Sequence, residues 1–233
     1  MNEVDIIVPV YNCEKFICEA INSILLQTWK DFQIIVVDDG STDRSAALVK
    51  EMQQTDKRIK LIQPGKQGLS ATLNTGIRNS KAAFVAFLDA DDLWEQTKLE
   101  KQMKILLEQE KISACFTQIK EFETFENPDE VQTYRARDKA LNGVAKLSFV
   151  GRRSLFEQFG LFADKTTTGD FVQWFSPIIN AGSKYIIIPE VLAYRRIHDD
   201  NFTRNIKPTD YLRIIKAHLD AKKNNGKETS SQN

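Results

Sequence analysis

Two groups of aspartates stand out because each follows directly on an apolar run. Asp38 and Asp39 end a run that begins at Phe32, and Asp89-Ala90-Asp91-Asp92 ends a run that begins at Ala83. Carboxylates placed this closely repel one another unless a cation or hydrogen-bond donors compensate. Carboxylate oxygens suit Mg²⁺ or Mn²⁺, and such ions usually complete their shell with water and substrate phosphates. The second group therefore indicates a divalent cation with a phosphate compound as its ligand.

Each group also has a simpler explanation. Asp89 to Asp92 could form a solvated turn in which Asp92 caps the next helix, and Asp38-Asp39-Gly40-Ser41 could turn the chain into a helix. In the first group, however, Ser41 or Thr42 can supply the cap. One of the two aspartates is then left to accept hydrogen bonds from a base or a ribose.

The sequence pattern around these aspartates predicts a parallel sheet covered by helices. Nearly continuous apolar runs, typical of strands buried on both faces, predict strands at Asp5–Val10, Phe32–Asp38, Ile59–Gln63 and Ala83–Asp89. Helical spacing lies between them at Glu14–Gln27, Asp43–Gln54 and Leu69–Asn79. Such βαβ crossovers open their ligand crevice beyond the carboxyl ends of the strands, which is where the aspartates lie.

The pattern after Leu93 is less regular. It predicts a helix over Thr97–Gln109, one or two strands within Ile112–Phe125, an exposed loop over Glu126–Lys139, a short helix at Ser154–Phe159, a helix over Asp170–Ala181, a strand over Tyr185–Ile188 and an amphipathic helix over Tyr211–Lys222.

Composition and missing motifs exclude several classes of protein. The chain has 32 basic and 32 acidic residues among 233, so no global positive field attracts nucleic acid. No apolar run approaches the roughly 18 residues of a membrane span, and the first ten residues lack the basic residues of a signal peptide, so we expect a cytoplasmic protein. The three cysteines form no CxxC pair and are expected to be reduced. The absence of GxxxxGK[ST] and of GxGxxG after the first strand argues against P-loop kinases and dinucleotide oxidoreductases.

Four ordered motifs within residues 5–92 together resemble the family-2 glycosyltransferases of the GT-A fold. They are Ile6-Ile7-Val8-Pro9-Val10-Tyr11-Asn12, Ile35-Val36-Val37-Asp38-Asp39-Gly40-Ser41-Thr42-Asp43, Gly68-Leu69-Ser70-Ala71-Thr72-Leu73-Asn74-Thr75-Gly76 and Phe87-Leu88-Asp89-Ala90-Asp91-Asp92. The resemblance implies an α/β nucleotide-diphospho-sugar transferase fold with a mostly parallel sheet flanked by helices. It also implies one domain over residues 1–222, with a nucleotide-binding half (1–92), an acceptor-binding half (93–222) and a polar tail (223–233).

By the same resemblance, the donor site is formed at the ends of the strands. The implied nucleotide-sugar contacts are Pro9, Tyr11 and Asn12 at the base, Asp39 accepting a hydrogen bond from the base with Asp38 nearby, Lys66 and Asn74 in the stretch that closes over nucleotide and sugar, and Asp89 and Ala90 near the ribose. Asp91 is implied as a ligand of the metal that bridges the donor diphosphate. His198 resembles the histidine of the family's carboxyl-terminal His-x-x-Asn, which lies by the diphosphate or completes the metal shell.

The sequence departs from the family at the general base, which is a carboxylate at the start of a late helix. The usual Glu-Asp pair aligns with Asp170-Phe171, so phenylalanine replaces the acid usually credited as base. Asp170 is the remaining candidate, ahead of Asp164 and Gln173, although it could equally cap its helix. Trp94 and Trp174 are either platforms for a sugar ring or core residues.

The resemblance implies an inverting transferase that moves a sugar from a nucleotide-diphosphate donor, uridine-linked by preference, to a hydroxyl acceptor with Mn²⁺ or Mg²⁺. The acceptor could be a glycan, a lipid-linked sugar or a peptide, with membrane association at most peripheral. The replacement of the usual base by Phe171 leaves open a nucleotide-binding protein without transfer. A nucleotidyltransferase ranks last, because its glycine- and arginine-rich amino-terminal loop is absent.

Overall fold

The computed structural model describes residues 3–126, 132–141, 144–163 and 169–198. The predicted helix Tyr211–Lys222 and the polar tail lie outside these residues. In the part of the chain so described, no helix combines the length and the apolar character needed to cross a membrane.

Strands and helices alternate regularly in the first half and less regularly in the second. The strands are β1 (Val4–Val10), β2 (Phe32–Asp38), β3 (Ile59–Ile62), β4 (Phe84–Phe87), β5 (Leu93–Trp94), β6 (Ile112–Glu126), β7 (Gln132–Leu141), β8 (Val150–Arg152) and β9 (Lys184–Ile197). The helices are α1 (Ile17–Leu25), α2 (Ser45–Thr55), α3 (Leu69–Asn79), α4 (Lys98–Glu108), α5 (Ser154–Phe159) and α6 (Asp170–Asn180), and a 3₁₀ turn spans Lys146–Ser148.

The first four strands form the parallel sheet that the apolar runs predict. β1 pairs in parallel with β2 and β4, and β2 pairs in parallel with β3. All seven residues of β1 are buried, because alternate side chains point to opposite faces and both faces are covered. Ile6 and Val8 pack in one core cluster with α1 and α2, whereas Ile7 packs in a second cluster with α3 and α6.

Beyond β4 the sheet continues with mixed pairing. β8 lies antiparallel between β4 and β6, β6 runs parallel to β9, and β5 is antiparallel to β9. The strands of the described residues form one nine-stranded sheet in the order β3-β2-β1-β4-β8-β6-β9-β5, with β7 beside β6. The predicted α/β architecture is confirmed, and its parallel character is strongest in the first half.

The exposed loop predicted over Glu126–Lys139 is wrong for most of its length, because residues 132–141 form β7 antiparallel to β6. β6 is 15 residues long, and its edge offers backbone groups that the returning chain can pair. β7 contains no apolar run, so the sequence pattern alone does not indicate a strand there.

β9 extends well beyond the predicted strand Tyr185–Ile188. The residue after the predicted strand is Pro189, and proline cannot donate to a strand ladder. In the structure the register with β6 shifts between Ile188 and Val191, and this irregularity accommodates the proline. The extended strand carries the chain to His198 and so brings that histidine to the carboxyl ends of the parallel strands.

Candidate active site

The loops that follow β1 and β2 are joined by hydrogen bonds. The Asn12 N–H donates to Ser41 Oγ (3.0 Å), and Asn12 Oδ1 accepts from the Thr42 N–H (2.8 Å). The predicted capping of α2 by Ser41 or Thr42 is therefore wrong. α2 begins at Ser45, whose N–H donates to Asp43 Oδ1 (2.9 Å).

Pro9 and Asp38 lie near the carboxyl ends of the paired strands β1 and β2, and both are buried. Asp38 Oδ1 accepts from the Ser41 N–H (3.0 Å), and Asp38 Oδ2 accepts from Gln63 Nε2 (3.1 Å). Both oxygens of Asp38 thus have partners within the chain, and the residue fixes the turn that leads out of β2.

Asp39 anchors the amino end of α3. Its Oδ1 accepts from the N–H groups of Gln67 (2.6 Å) and Gly68 (2.9 Å) and from the hydroxyl of Thr72 (3.1 Å), while Lys66 Nζ lies 3.3 Å from Oδ2. Burial alone would raise the pKa of Asp39, but the hydrogen bonds outweigh it and lower the pKa below its ordinary value. Asp39 is therefore held ionised at the end of β2.

Tyr11 presents an aromatic face beside Asp39. The residue is 49% exposed, and Lys66 Nζ lies 2.9 Å from the centroid of its ring. An exposed ring at the end of β1 is suited to stacking on the flat face of a base. In this structure the Lys66 ammonium covers that ring, so Tyr11, Lys66 and Asp39 form one continuous surface.

Asn74 has a different setting from the one that the sequence suggested. It is buried in α3, where its Nδ2 donates to the Phe162 carbonyl (2.9 Å) and its Oδ1 accepts from the Phe162 N–H (3.0 Å). The side chain thus joins α3 to the segment after α5. Thr72 is the α3 side chain that reaches Asp39. It lies within the third motif, but the sequence alone did not single it out as a partner of Asp39.

Asp89 and Asp91 follow β4 and have separate cationic or imidazole partners. The Asp89 side chain is 36% exposed, and its Oδ1 pairs with Lys146 Nζ at 2.7 Å. Asp91 Oδ2 lies 3.0 Å from His198 Nε2. Ala90, between them, is buried in the first core cluster. Its packing fixes the backbone that carries the two carboxylates.

Arg196 of β9 is fully buried and holds this loop from inside the protein. Its N–H donates to Asp92 Oδ1 (2.9 Å), its Nε donates to the Asp91 carbonyl (2.8 Å), and its Nη2 pairs with Glu19 of α1 (2.6 Å). Burial, and then the charges of the neighbouring aspartates, raise the pKa of Asp92 well above its usual range. Asp92 and Arg196 are thus structural supports for the residues in front of them.

Asp91 and His198 are the described residues best suited to hold a divalent cation. A carboxylate oxygen and an imidazole nitrogen already lie 3.0 Å apart, and this donor set suits Mn²⁺. Among the described residues, no group of three or more His, Cys, Asp or Glu side chains could hold a metal. Ions of this type commonly take only one or two protein ligands and complete their shell with phosphate and water, so the pair fits that role.

Asp170 is the first residue of α6 and follows Gly169, which has a φ of 73°. Its Oδ1 accepts from the Phe171 N–H (2.8 Å), whereas its buried Oδ2 has no hydrogen-bond partner among the described residues. A buried carboxylate oxygen without a partner is costly and typical of a functional site. Asp164 lies outside the described residues, and Gln173 is exposed on α6.

Phe171, at the position of the expected acid, points into the core. It is buried, with ring centroids 5.3 Å from Phe149 and 5.6 Å from Phe175. Trp174 is buried in the same aromatic cluster, and Trp94 is buried in the first core cluster, so both tryptophans are core residues.

Lys146 is the residue of this region that sequence reasoning missed. It stands in a mainly apolar stretch without a motif, 57 positions from Asp89 along the chain, and the 3₁₀ turn before β8 brings the two together. The chain pairs β8 with β4, and the turn therefore lies beside the loop that follows β4.

The sequence profile of glycosyl transferase family 2 matches residues 5–178, which is more than half of the chain. The fold and the arrangement of carboxylates at the strand ends agree with that match. The chain belongs to glycosyl transferase family 2, and the resemblance seen in its four motifs is confirmed.

Curated relatives match a little under half of the chain. Glycosyltransferase GlyA of Streptococcus pneumoniae is 42% identical over 107 residues, which are 46% of this chain and 15% of the relative. The UDP-Glc:alpha-D-GlcNAc-diphosphoundecaprenol beta-1,3-glucosyltransferase WfgD of Escherichia coli is 39% identical over 105 residues, which are 45% of this chain and 41% of the relative. The matched segment thus spans less than half the length of either protein.

Solved structures share the fold across nearly the whole chain. Residues 1–349 of S. aureus TarS in complex with UDP-GlcNAc superpose with a TM-score of 0.74 at 17% identity, covering 93% of this chain and 65% of that one. The mannosyltransferase PcManGT of Pyrobaculum calidifontis in complex with GDP-Man and Mn²⁺ gives a TM-score of 0.69 at 20% identity, covering 87% and 59%. At this identity the likeness shows a common GT-A fold.

Proposed function

We propose that this chain is an inverting glycosyltransferase that moves a sugar from a nucleotide-diphosphate donor to a hydroxyl acceptor with Mn²⁺ or Mg²⁺. The observation that carries the proposal is the Asp91–His198 pair at the carboxyl ends of the parallel strands. A metal-binding pair at this edge of an α/β sheet is placed to receive a nucleotide diphosphate.

A uridine-linked donor is the first choice. WfgD uses UDP-Glc by its name and TarS was solved with UDP-GlcNAc, whereas PcManGT was solved with GDP-Man. The base would stack on Tyr11, with Asp38 and Asp39 beneath it at the end of β2. Because Lys66 covers the Tyr11 ring in this structure, donor binding requires that ammonium to move toward the incoming nucleotide.

Asp91 and His198 would hold the metal, which when bound neutralises the charge that develops on the departing diphosphate. The protein's own contribution is to hold those two side chains rigidly. Arg196 fixes the Asp91 carbonyl, and the ring of Phe16 packs 4.8 Å from the ring of His198. The ligands are thus oriented before the donor arrives.

Asp170 is the proposed general base. Its Oδ2 is the oxygen available to take the proton from the acceptor hydroxyl, while Oδ1 keeps the residue fixed on the Phe171 N–H. As the acceptor oxygen bonds to the anomeric carbon, the bond from that carbon to the diphosphate oxygen breaks. A single displacement of this kind inverts the configuration and needs no covalent intermediate.

The acceptor is proposed only by class. WfgD, by its name, acts on a diphosphoundecaprenol-linked sugar, so a lipid-linked sugar joins glycans and peptides as a candidate. We propose a cytoplasmic enzyme. Its association with a membrane that carries such an acceptor is at most peripheral.

The first experiment is calorimetric titration with UDP and with GDP, each with Mn²⁺ and with a chelator. We expect one nucleotide to bind only with the metal, and the Asp91→Asn variant to lose that binding. Asp31→Asn is the matched control, because Asp31 is an exposed aspartate at the opposite end of β2, and it should bind like the wild type. If the wild type binds neither nucleotide, the proposed function is wrong.

A nucleotide-binding protein without transfer is the second candidate, because one oxygen of Asp170 already serves the amino end of α6. It predicts metal-dependent nucleotide binding with no turnover of any donor, even with mixed acceptors. Release of UDP or GDP from the corresponding nucleotide sugars distinguishes the two.

A further inference from the structure

Lys146 is placed by a network that leaves its side chain little freedom. The turn that carries it is held by Trp94 Nε1, which donates to the Leu147 carbonyl (3.0 Å), and by Gln102 Nε2, which donates to the Ser148 carbonyl (2.8 Å). The Lys146 side chain is only 11% exposed. An ordinary surface lysine keeps its ammonium in water, whereas the ammonium of Lys146 is largely withdrawn from solvent.

The surroundings of the Lys146 ammonium are acidic. Its Nζ lies 2.7 Å from Asp89 Oδ1, and Asp170 adds its charge from α6. Burial alone would lower the pKa of Lys146, but Asp89 and then Asp170 outweigh it and raise the pKa above its ordinary value. Lys146 is therefore a fixed positive charge that contacts Asp89 and feels the charge of Asp170.

The position of Lys146 beside Asp89 has a chemical consequence, which rests on the proposed function. With the donor ribose at Asp89 and the general base at Asp170, as proposed, the diphosphate extends from the Asp89 side of the site toward Asp170. An ammonium has three donors, and among the described residues Lys146 gives one hydrogen bond, to Asp89. Donors remain for a phosphate oxygen at the end nearer to the sugar.

We propose that Lys146 binds the β-phosphate of the donor and stabilises the leaving diphosphate as a second cation beside the metal site. The ammonium exchanges part of its contact with Asp89 for a phosphate oxygen when the donor binds. A preorganised cation aimed at an oxygen that gains charge contributes more to the transition state than to the ground state.

The test compares a nucleoside diphosphate with its monophosphate, using whichever of UDP and GDP the wild type binds with Mn²⁺. Lys146→Gln should weaken diphosphate binding by about tenfold or more, because a charge-assisted hydrogen bond is lost. Binding of the monophosphate should stay within about twofold, because it lacks the β-phosphate. Turnover of the nucleotide sugar should fall further than diphosphate binding.

Lys101→Gln is the matched control, because Lys101 of α4 also pairs with a carboxylate, Glu190 of β9, and neither residue belongs to the proposed site. It should change neither affinity. If Lys146→Gln weakens diphosphate and monophosphate equally, the lysine acts only by orienting Asp89 and the proposal is wrong. Unchanged affinity for both also overturns it, while a wild type that binds neither nucleotide overturns the proposed function itself.

Loss of Lys146 leaves Asp89 with its acidic neighbours, which could unfold the variant. The Asp89→Asn/Lys146→Gln double variant removes both partners of the pair, and it is compared with Asp89→Asn alone. The ratio of diphosphate to monophosphate affinity should still drop by about tenfold between these two proteins. An unchanged ratio contradicts a contact with the β-phosphate.

Discussion

The two oxygens of Asp170 have separate environments, and this separation allows a sharp test of the general base. Asp170→Asn keeps an oxygen to accept from the Phe171 N–H, so α6 should begin as before and the free energy of unfolding should change by less than about 1 kcal/mol. The amide cannot take a proton, so transfer should fall by about a hundredfold or more.

The measurement for Asp170→Asn is release of nucleotide from the nucleotide sugar, with donor affinity followed by calorimetry. Donor affinity should remain near the wild-type value, since the residue contacts the acceptor side of the reaction. Wild-type turnover in this variant would show that Asp170 only caps its helix.

Phe171 gives a second prediction at the same helix. If the expected acid were simply missing, Phe171→Asp should raise activity. The ring instead packs between Phe149 and Phe175, so a carboxylate there is buried without a partner, and we expect a loss of about 3–5 kcal/mol in the free energy of unfolding. Val172→Asp, at the exposed neighbouring position, should change stability by less than about 0.5 kcal/mol. Urea denaturation of both variants shows whether position 171 tolerates a carboxylate or requires an apolar side chain.

How far the sequence could predict the site depends on how each residue reaches it. Asp38, Asp39, Asp89 and Asp91 follow apolar runs, so a parallel sheet brings them to one edge. His198 lies 107 positions from Asp91, and only the resemblance to a family connected them before the fold was known. Lys146 belongs to no motif, because its position is set by the pairing of β8 with β4. Contacts of that kind depend on tertiary packing.

The helix α3 packs closely against β1 at the proposed donor side of the sheet. A Cβ at Gly76 of α3 would lie 2.4 Å from Ile7 Cγ2, and Ile7 is fully buried in β1. Gly76→Ala should therefore push α3 outward and destabilise the protein by about 1–3 kcal/mol, despite the better helix propensity of alanine.

Because Asp39 binds the amino end of α3, Gly76→Ala should also weaken nucleotide binding. The control is Arg78→Ala, an exposed position on the same helix, which should leave both stability and affinity near wild type. Thermal unfolding and calorimetric titration give the two readouts. A Gly76→Ala protein as stable as the wild type would show that α3 can shift without cost.

The elements themselves were predictable where one pattern dominates. β1, β2 and β4 are buried on both faces. They and β3 were found within two residues at either end, as was α6. β7 was missed because no apolar run marks it in the sequence. The length of β9 was missed because Pro189 normally ends a strand, and only pairing with β6 shows that a bulge absorbs it.

The two core clusters lie on opposite faces of one sheet, and buried polar contacts link the halves of the chain. Gln102 Nε2 of α4 donates to the Cys115 carbonyl of β6 (2.7 Å) and to Ser148 beside β8. Lys98, one turn earlier on α4, donates from its buried Nζ to Gln102 Oε1 (2.7 Å). The same network holds the turn that carries Lys146. The candidate site and the global fold therefore depend on the same buried hydrogen bonds.

Lys98 makes the stability of this network depend on pH. Its Nζ lies 3.9 Å from the centre of the Trp94 ring, and no described carboxylate forms an ion pair with it. Burial lowers the pKa of Lys98 from 10.5 to about 7. Between these values the unfolded chain binds more protons than the folded one, so the free energy of unfolding rises with pH. The stabilisation is full above pH 10.5 and is lost as the pH falls toward 7.

We therefore expect the wild type to gain about 1–2 kcal/mol in the free energy of unfolding between pH 7 and 8.5, relative to Lys98→Met. Methionine has no charge to bury, so the free energy of unfolding of Lys98→Met lacks this dependence on pH. Lys104→Met, at an exposed position on the same helix, should follow the wild type across that range. Urea denaturation of the three proteins at both pH values is the measurement. A constant difference between wild type and Lys98→Met would mean that the folded chain keeps this ammonium charged throughout, with the Trp94 ring and Gln102 stabilising it as well as water does.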